Sequence, residues 1–546
     1  MSNQFNINNV SFGEQKFSQR LYITILFITV MFSMMGCGTL SINDDYEDKN
    51  TLHSKYKYSL GVDVNSYENG DVSSFSSSID TSTDLPICDN TNPEVHFIRS
   101  NDDWKMINSS DKSIFCVSPG DYSSLGQIKL STSGTAQNPR YIILDNGNDR
   151  HPAKLSKNQL AKYILLLENA DYWVIDRQAY WETTDPFKRN ALKASSYNIF
   201  SRAYFLDTSS AYVLHHKSTH NIIQMNHIEK TQWSVNKKSF HDTAAINLLC
   251  VKDKEYITDT SIINNEIINY VDSIQTVRLY DAAKLNAEID FSGTLISDNL
   301  LYVTDIMYSN GNGKSNISGD KSFTENAIDL KGGASHSNNP VVVKNNVMWG
   351  FKRSDNTYSN LSDAGSAIVV HYDVRNVIFE NNVIFKSDFG FMGGEPRGDR
   401  YPLEDSILRN NIFFQIKSHA ISIYGTEKQG TFDGAKNVEI KDNFFAQSGE
   451  GVIKLYNTDN VNIENNIFAD SKQLWFGGSK SETFKSNNLR IENNEFYNMD
   501  MGIATYVSDI GNEIIGEDAP YDKYNVNIIS RKFTTEQKEK QLFVKQ

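Results

Sequence analysis

Six times between residues 341 and 494 the sequence repeats one short phrase: alternating apolar residues followed by Asn-Asn or Asp-Asn. The copies are VVVKNN at 341–346, VIFENN at 377–382, ILRNN at 407–411, VEIKDN at 438–443, VNIENN at 461–466 and LRIENN at 489–494. The second asparagine falls at Asn346, Asn382, Asn411, Asn443, Asn466 and Asn494, in steps of 36, 29, 32, 23 and 28 residues. A strand this short cannot bury its inner face alone, but coils stacked on one another share one apolar column. An asparagine at each turn can take the left-handed conformation and hydrogen-bond to its counterpart one coil on, building a ladder. The paired asparagines are therefore read as structural.

A second strand type sits between consecutive copies. AIDLK at 327–331 is ended by Gly332 and Gly333, and related stretches are TVRLY at 276–280, AIVVH at 367–371, AISIY at 420–424, VIKLY at 452–456 and GIATY at 502–506. With a period of two, the apolar residues point inward and two columns point outward. Laid over one another, the last outward position holds Tyr280, Lys331, His371, Tyr424, Tyr456 and Tyr506. The one before it holds Arg278, Asp329, Val369, Ser422, Lys454 and Ala504. Two or three short strands per irregular coil, with insertions at one turn, predict an all-β chain. The expected form is a right-handed parallel β-helix with an N-terminal cap and inserted loops.

A formal charge of −14 argues against nucleic acid, which requires clustered Lys and Arg, but leaves room for a basic groove or a bound cation. Lys16 and Arg20 precede an apolar run at 21–35 that is short for a membrane span and ends in Met34-Met35-Gly36-Cys37. This resembles a bacterial lipoprotein signal with Cys37 as the lipidated residue; the alternative is an uncleaved anchor. The expected division is a signal segment at 1–37, a Ser-, Asp- and Asn-rich tether at 38–86, the β-helix at 87–508 and a C-terminal cap at 509–546. The body is expected to be a monomer attached by lipid to the outer membrane or cell surface. In that oxidising setting Cys88 and Cys116 are available to pair, while Cys250, inside an apolar run, reads as a buried free thiol.

Long polar insertions cluster near Lys331. One runs 308–323; another, 351–366, carries Arg353, Asp355 and Asp363; a third, 393–402, carries Glu395, Arg397, Asp399 and Arg400; a fourth, 426–434, carries Glu427 and Lys428. The opening segment (PGDY at 119–122, SGTAQNP at 133–139, YIILD at 141–145, DYWVID at 171–176) resembles the first coils of pectate-lyase-like β-helix polysaccharide lyases. It is most like the family of alginate lyases and chondroitin B lyase. In that family a strand ending in a lysine base is followed one coil later by an Arg-His pair. The strand at 327–331 is similar to the first and that at 367–371 to the second. Val370 stands where the arginine would be, and the family's Asn-Gly-Gly-Glu calcium motif is absent.

The resemblance implies cleavage of an acidic, uronate-containing polysaccharide by β-elimination. The proton beside the carboxylate can leave only if the carboxylate charge is neutralised, by Ca²⁺ or by Arg or Lys. A base must then reach that proton and an acid must protonate the leaving oxygen. On this reading Lys331 is the base, His371 the alternate base or donor, and Tyr280 or Tyr424 the acid. Arg278, Arg397 and Arg400 would hold the carboxylate, with Tyr456 and Arg353 along the substrate, and Glu325 and Asp329 are the oxygen ligands for a Ca²⁺. A non-catalytic polysaccharide-binding lipoprotein, a glycoside hydrolase and a uronate epimerase are the alternatives.

Overall fold

The computed structural model describes residues 85–499 and 513–515, apart from 119, 123, 145–152, 157–162, 182–188, 209, 231–243, 279–288, 305–324, 336–337, 353–364, 372, 395–400, 425–433, 473 and 477–486. Cys37, the signal segment, the tether and the last 31 residues lie outside the described residues.

The alternating stretches form three long parallel sheets, visited in the same order by every coil. Among the described residues the first sheet has 15 strands, the second 14 and the third 12. One coil runs through Val341–Lys344, Val347–Trp349 and Ser366–His371, which lie in the first, second and third sheets. The chain is a right-handed parallel β-helix, as the repeat predicts. The stack continues to Glu513–Ile515, which pairs with Glu495–Tyr497, past the expected boundary at 508.

Inside, apolar residues from all three sheets form one continuous core. In the third sheet Ile274, Ile328, Ile368, Phe391, Ile421 and Ile453 stand in register, one per coil. In the second, Phe413, Phe445, Phe468 and Phe496 stack with ring centroids 5.0, 5.1 and 5.0 Å apart. At the N-terminal end Cys88 and Cys116 form a disulfide, and Cys250 is a buried free thiol.

The paired asparagines divide two tasks that the sequence reading gave to one residue. The first of each pair takes the left-handed conformation: Asn345, Asn381, Asn410, Asp442, Asn465 and Asn493 have φ of 55° or 56°. The second is buried and forms the ladder. Asn346 to Asn382, Asn382 to Asn411, Asn411 to Asn443, Asn443 to Asn466 and Asn466 to Asn494 are each joined by an Nδ2–H donating to Oδ1 at 3.0 Å. The ladder also extends three coils earlier than the repeat suggests, through Asn226, Asn265 and Asn299.

Two features of the third sheet depart from expectation. Phe389–Gly394 supplies a coil between those of His371 and Tyr424 that its Gly-rich sequence had concealed. Asp272–Arg278 pairs with Asn326–Leu330 so that Gln275, not Arg278, lies opposite Asp329. The expected register was three residues off, and an odd slip exchanges the two faces of a strand.

Asn411 donates from Nδ2 to the Phe379 carbonyl at 3.0 Å and accepts at Oδ1 from both the backbone N–H and the Nδ2–H of Asn382. Asn411→Leu leaves these groups buried and unpaired, and should cost about 1–3 kcal/mol of unfolding free energy in a denaturant titration. An unchanged midpoint would show that the ladder does not hold the stack.

Candidate active site

The outer face of the third sheet carries a small charged cluster around Asp329. Asp329 projects outward between the inward Ile328 and Leu330, level with Gln275 on the preceding coil and Val369 on the next. Lys331 follows the end of its strand. Its backbone N–H donates to the Thr276 carbonyl at 3.1 Å and to Thr276 Oγ1 at 2.9 Å. Leu330 pairs with Val370, so Lys331 and His371 stand side by side on adjacent coils, the arrangement expected from the sequence.

Asp329 is the centre of this group. Its Oδ2 accepts from Lys331 Nζ and, at 2.7 Å, from Gln275 Nε2. His371 Nε2 lies 3.4 Å from Oδ1. Asp329 is 1% exposed and His371 5%, whereas the Lys331 side chain keeps 19% and is the most accessible of the three. Behind them Asp272 is fully buried, with Asn326 Nδ2 donating to its Oδ1 at 3.3 Å.

The protonation states follow from this packing. Burial pushes the Asp329 carboxyl up, but Lys331, His371 and the hydrogen bonds from Lys331 and Gln275 outweigh it and hold it below the usual range. Burial pulls Lys331 down, but Asp329, Asp272 and Glu325 outweigh that and hold its ammonium above its ordinary pKa. Asp272 is raised well above its ordinary value by burial, reinforced by Glu325 and Asp329. Lys331 is thus held towards its ammonium form, which suits the stabilisation of negative charge.

Among the described residues the donor set does not fit calcium. Ca²⁺ takes 6–8 oxygen ligands, whereas the Asp329 carboxylate is already engaged by an ammonium and an amide. Among the described residues no group of three or more His, Cys, Asp or Glu side chains is arranged to hold a metal ion.

Of the other expected residues, Tyr280, Arg353, Arg397 and Arg400 lie outside the described residues. Arg278 is one position past Val277, in register with Cys250, and not in the Asp329 column. Tyr424 and Tyr456 lie two and three coils beyond His371, with ring centroids 5.5 Å apart. Gln275 and Asp272 were missed. SIQTV at 273–277 matches AIDLK better when Ile274 is laid on Ile328, but the polar Thr276 at an inward position disguised it.

A second polar group lies along the same face. Lys454 Nζ is 5.6 Å from the Tyr424 ring centroid and 5.2 Å from that of Tyr456. His419, on the Tyr424 strand, is pushed down to about 4 by burial and then by the charge of Lys454, against a smaller opposing pull from Glu450.

A family model described as the right-handed beta helix region matches residues 403–520. Curated proteins include no match to the chain. Several solved structures resemble it. An alginate lyase from Paenibacillus sp. str. FPU-7 has 17% identity and a TM-score of 0.37, over 59% of this chain and 97% of that one. A mannuronic-acid-specific polysaccharide family 6 lyase from human gut microbiota has 12% identity and a TM-score of 0.46, over 80% and 93%. The catalytic domain of a GH87 α-1,3-glucanase has 12% identity and a TM-score of 0.41, over 79% and 70%. At these values the likenesses do not bear on chemistry.

A depressed histidine pKa means that the unfolded chain binds the proton first, so stability falls as pH drops from the unfolded value towards the folded one. His419 should therefore make the fold lose stability between pH 6.5 and about 4. His419→Gln should flatten that part of a thermal-denaturation profile measured against pH; an unchanged slope there would contradict the assignment.

Proposed function

We propose that this protein is a polysaccharide lyase that cleaves a uronate-containing polymer by β-elimination on the outer face of the third sheet. The observation that carries the reading is the Lys331–Asp329–His371 cluster, where a cation and an imidazole flank one buried carboxylate. It also occupies the face that the insertions flank. Segments 305–324 and 353–364 lead into third-sheet strands, and 279–288, 395–400 and 425–433 lead out of them.

The roles follow from charge. Lys331, held as ammonium, neutralises the uronate carboxylate and stabilises the enolate-like charge that develops when the neighbouring proton leaves. His371 takes that proton. Asp329 faces Nε2 and orients the ring; Nδ1 is buried in the free protein, so the imidazole must turn outward as the polymer binds to reach the proton. The electrons of the broken C–H bond form the C4=C5 double bond, the C4–O bond breaks, and the leaving oxygen takes the proton that His371 removed, which returns the imidazole to its starting state. The products are an unsaturated uronate and a new chain end. A hydrolase is less well supported: Asp272 and Asp329 have divergent pKa shifts, but Asp272 is fully buried and cannot reach a glycosidic oxygen. A binding-only role rests on a different observation, the Tyr424–Lys454–Tyr456 group, which requires no chemistry. An epimerase would share the proton abstraction and differ in leaving the polymer uncut.

A panel of acidic polysaccharides should include one from which the protein releases an ultraviolet-absorbing unsaturated product. On that polymer His371→Ala should lose about 10²–10⁴-fold in turnover, and Lys331→Met about 10²–10³-fold. Cleavage by His371→Ala at the parent rate would overturn these roles.

The proposed setting is the cell surface, with the body tethered by a lipid on Cys37. Cys37→Ala should abolish lipid labelling and release a folded, soluble body. Membrane association that survives the substitution would instead favour the uncleaved anchor.

A further inference from the structure

We infer that Lys454, whose Nζ lies against the rings of both Tyr424 and Tyr456, binds the carboxylate of a second uronate residue of the same polymer, three coils along the sheet from His371. The inference rests on the lyase reading for its substrate class, but its geometry is independent of the reacting cluster.

Lysines elsewhere on the coils find acids: Lys331 pairs with Asp329, Lys436 with Glu404 and Lys441 with Glu439. Lys454 has no carboxylate partner among the described residues and contacts two aromatic rings instead. The nearby acid, Glu450, is engaged elsewhere: its Oε2 accepts from Ser418 Oγ at 2.5 Å and lies 3.8 Å from His419 Nδ1. A half-buried cation beside two aromatic rings, with no acid partner among the described residues, fits an anionic ligand that has an apolar face, as a uronate ring does.

A second observation points the same way. Ser422 precedes Lys454 in the same outward column, one coil back. It is fully buried, and its Oγ has no hydrogen-bond partner. Buried hydroxyls are rarely left unpaired, so a ligand oxygen or an ordered water is expected there.

The spacing suits one extended chain. Coils are about 4.8 Å apart, close to the length of one pyranose in an extended 4-linked polymer. Between His371 and Tyr424 the column holds Gly394, in register with His371. A Cβ at Gly394 would meet nothing within 4 Å, unlike one at Gly390, which would lie 2.4 Å from the Ala420 carbonyl. Packing therefore does not require glycine at 394, and its lack of a side chain opens the floor between the cluster and Lys454. A chain lying along the helix axis would place one sugar over His371, pass over Gly394, and set a later carboxylate on Lys454.

The test is calorimetric titration of the full chain, on a His371→Ala background to prevent turnover. The probes are hexasaccharides of 4-linked mannuronate, guluronate and galacturonate, and their carboxyl-reduced neutral counterparts. For the uronate that binds best, Lys454→Met should weaken binding about 10- to 100-fold, the range for a charge-assisted pair. The neutral counterpart should be unaffected, and Lys454→Arg should keep most of the affinity. Equal affinity of Lys454→Met and its parent for the acidic hexasaccharide overturns the inference, as does failure of every acidic probe to bind. The lyase reading fails separately. If the unsubstituted protein releases no unsaturated product from any polymer while Lys454-dependent binding persists, the subsite stands and the lyase falls. If product forms but Lys454→Met binds normally, the subsite falls and the lyase stands.

Discussion

The asparagine ladder is the constraint on which the rest of the structure depends. Each rung satisfies a buried amide in both directions and fixes the turn between the first and second sheets to one geometry, coil after coil. Because that turn is pinned, differences in coil length must be absorbed elsewhere. Successive rungs are separated by as few as 23 residues and as many as 47. The surplus enters at the two ends of the third-sheet strands, which makes the third sheet the face where sequence can vary without disturbing the stack.

On that face the protein maintains an arrangement that stability alone does not call for. Placing Asp329 under Lys331 and His371 takes a carboxylate out of water, and its attraction to neighbouring cations does little more than offset the desolvation. The outward neighbours in the same column, Val369 and Met392, are apolar and would serve packing equally well. What the cluster gains is a fixed cation and an imidazole oriented by one carboxylate, held on strands whose positions are set by the core beneath. Such preorganisation is what catalysis on a developing negative charge requires. The three outer faces are correspondingly unlike. The second sheet carries a buried stack of Tyr302, Trp349 and Phe385, and the first carries exposed ion pairs such as Arg490 with Glu492.

The architecture was legible because it is repetitive. Alternating apolar residues and paired asparagines recur often enough that one coil explains the next, and the inward and outward sides of AIDLK and AIVVH follow from a period of two. The same reading placed Lys331 beside His371 on adjacent coils, since both end strands of the same type. It faltered where a strand lacked its expected apolar residues: Thr276 fills an inward position and Phe389–Gly394 has three glycines, so one register slipped and one coil was passed over.

The sequence by itself determined the fold class, the ladder, the inward and outward columns, and which residue types are present at the coil ends, because each depends on local period and on contacts between equivalent positions. The tertiary structure alone decided what those residues are chemically. That Gln275 and Asp272 lie beside Asp329, that Lys331 is held as an ammonium, and that Lys454 lies against two rings with no acid partner among the described residues depend on contacts between coils, such as that of Gln275 with Asp329, 54 residues apart. The pairing register sets those contacts, and the desolvation that moves each pKa depends on how closely the coils pack around the group. Neither quantity is written in the residues themselves.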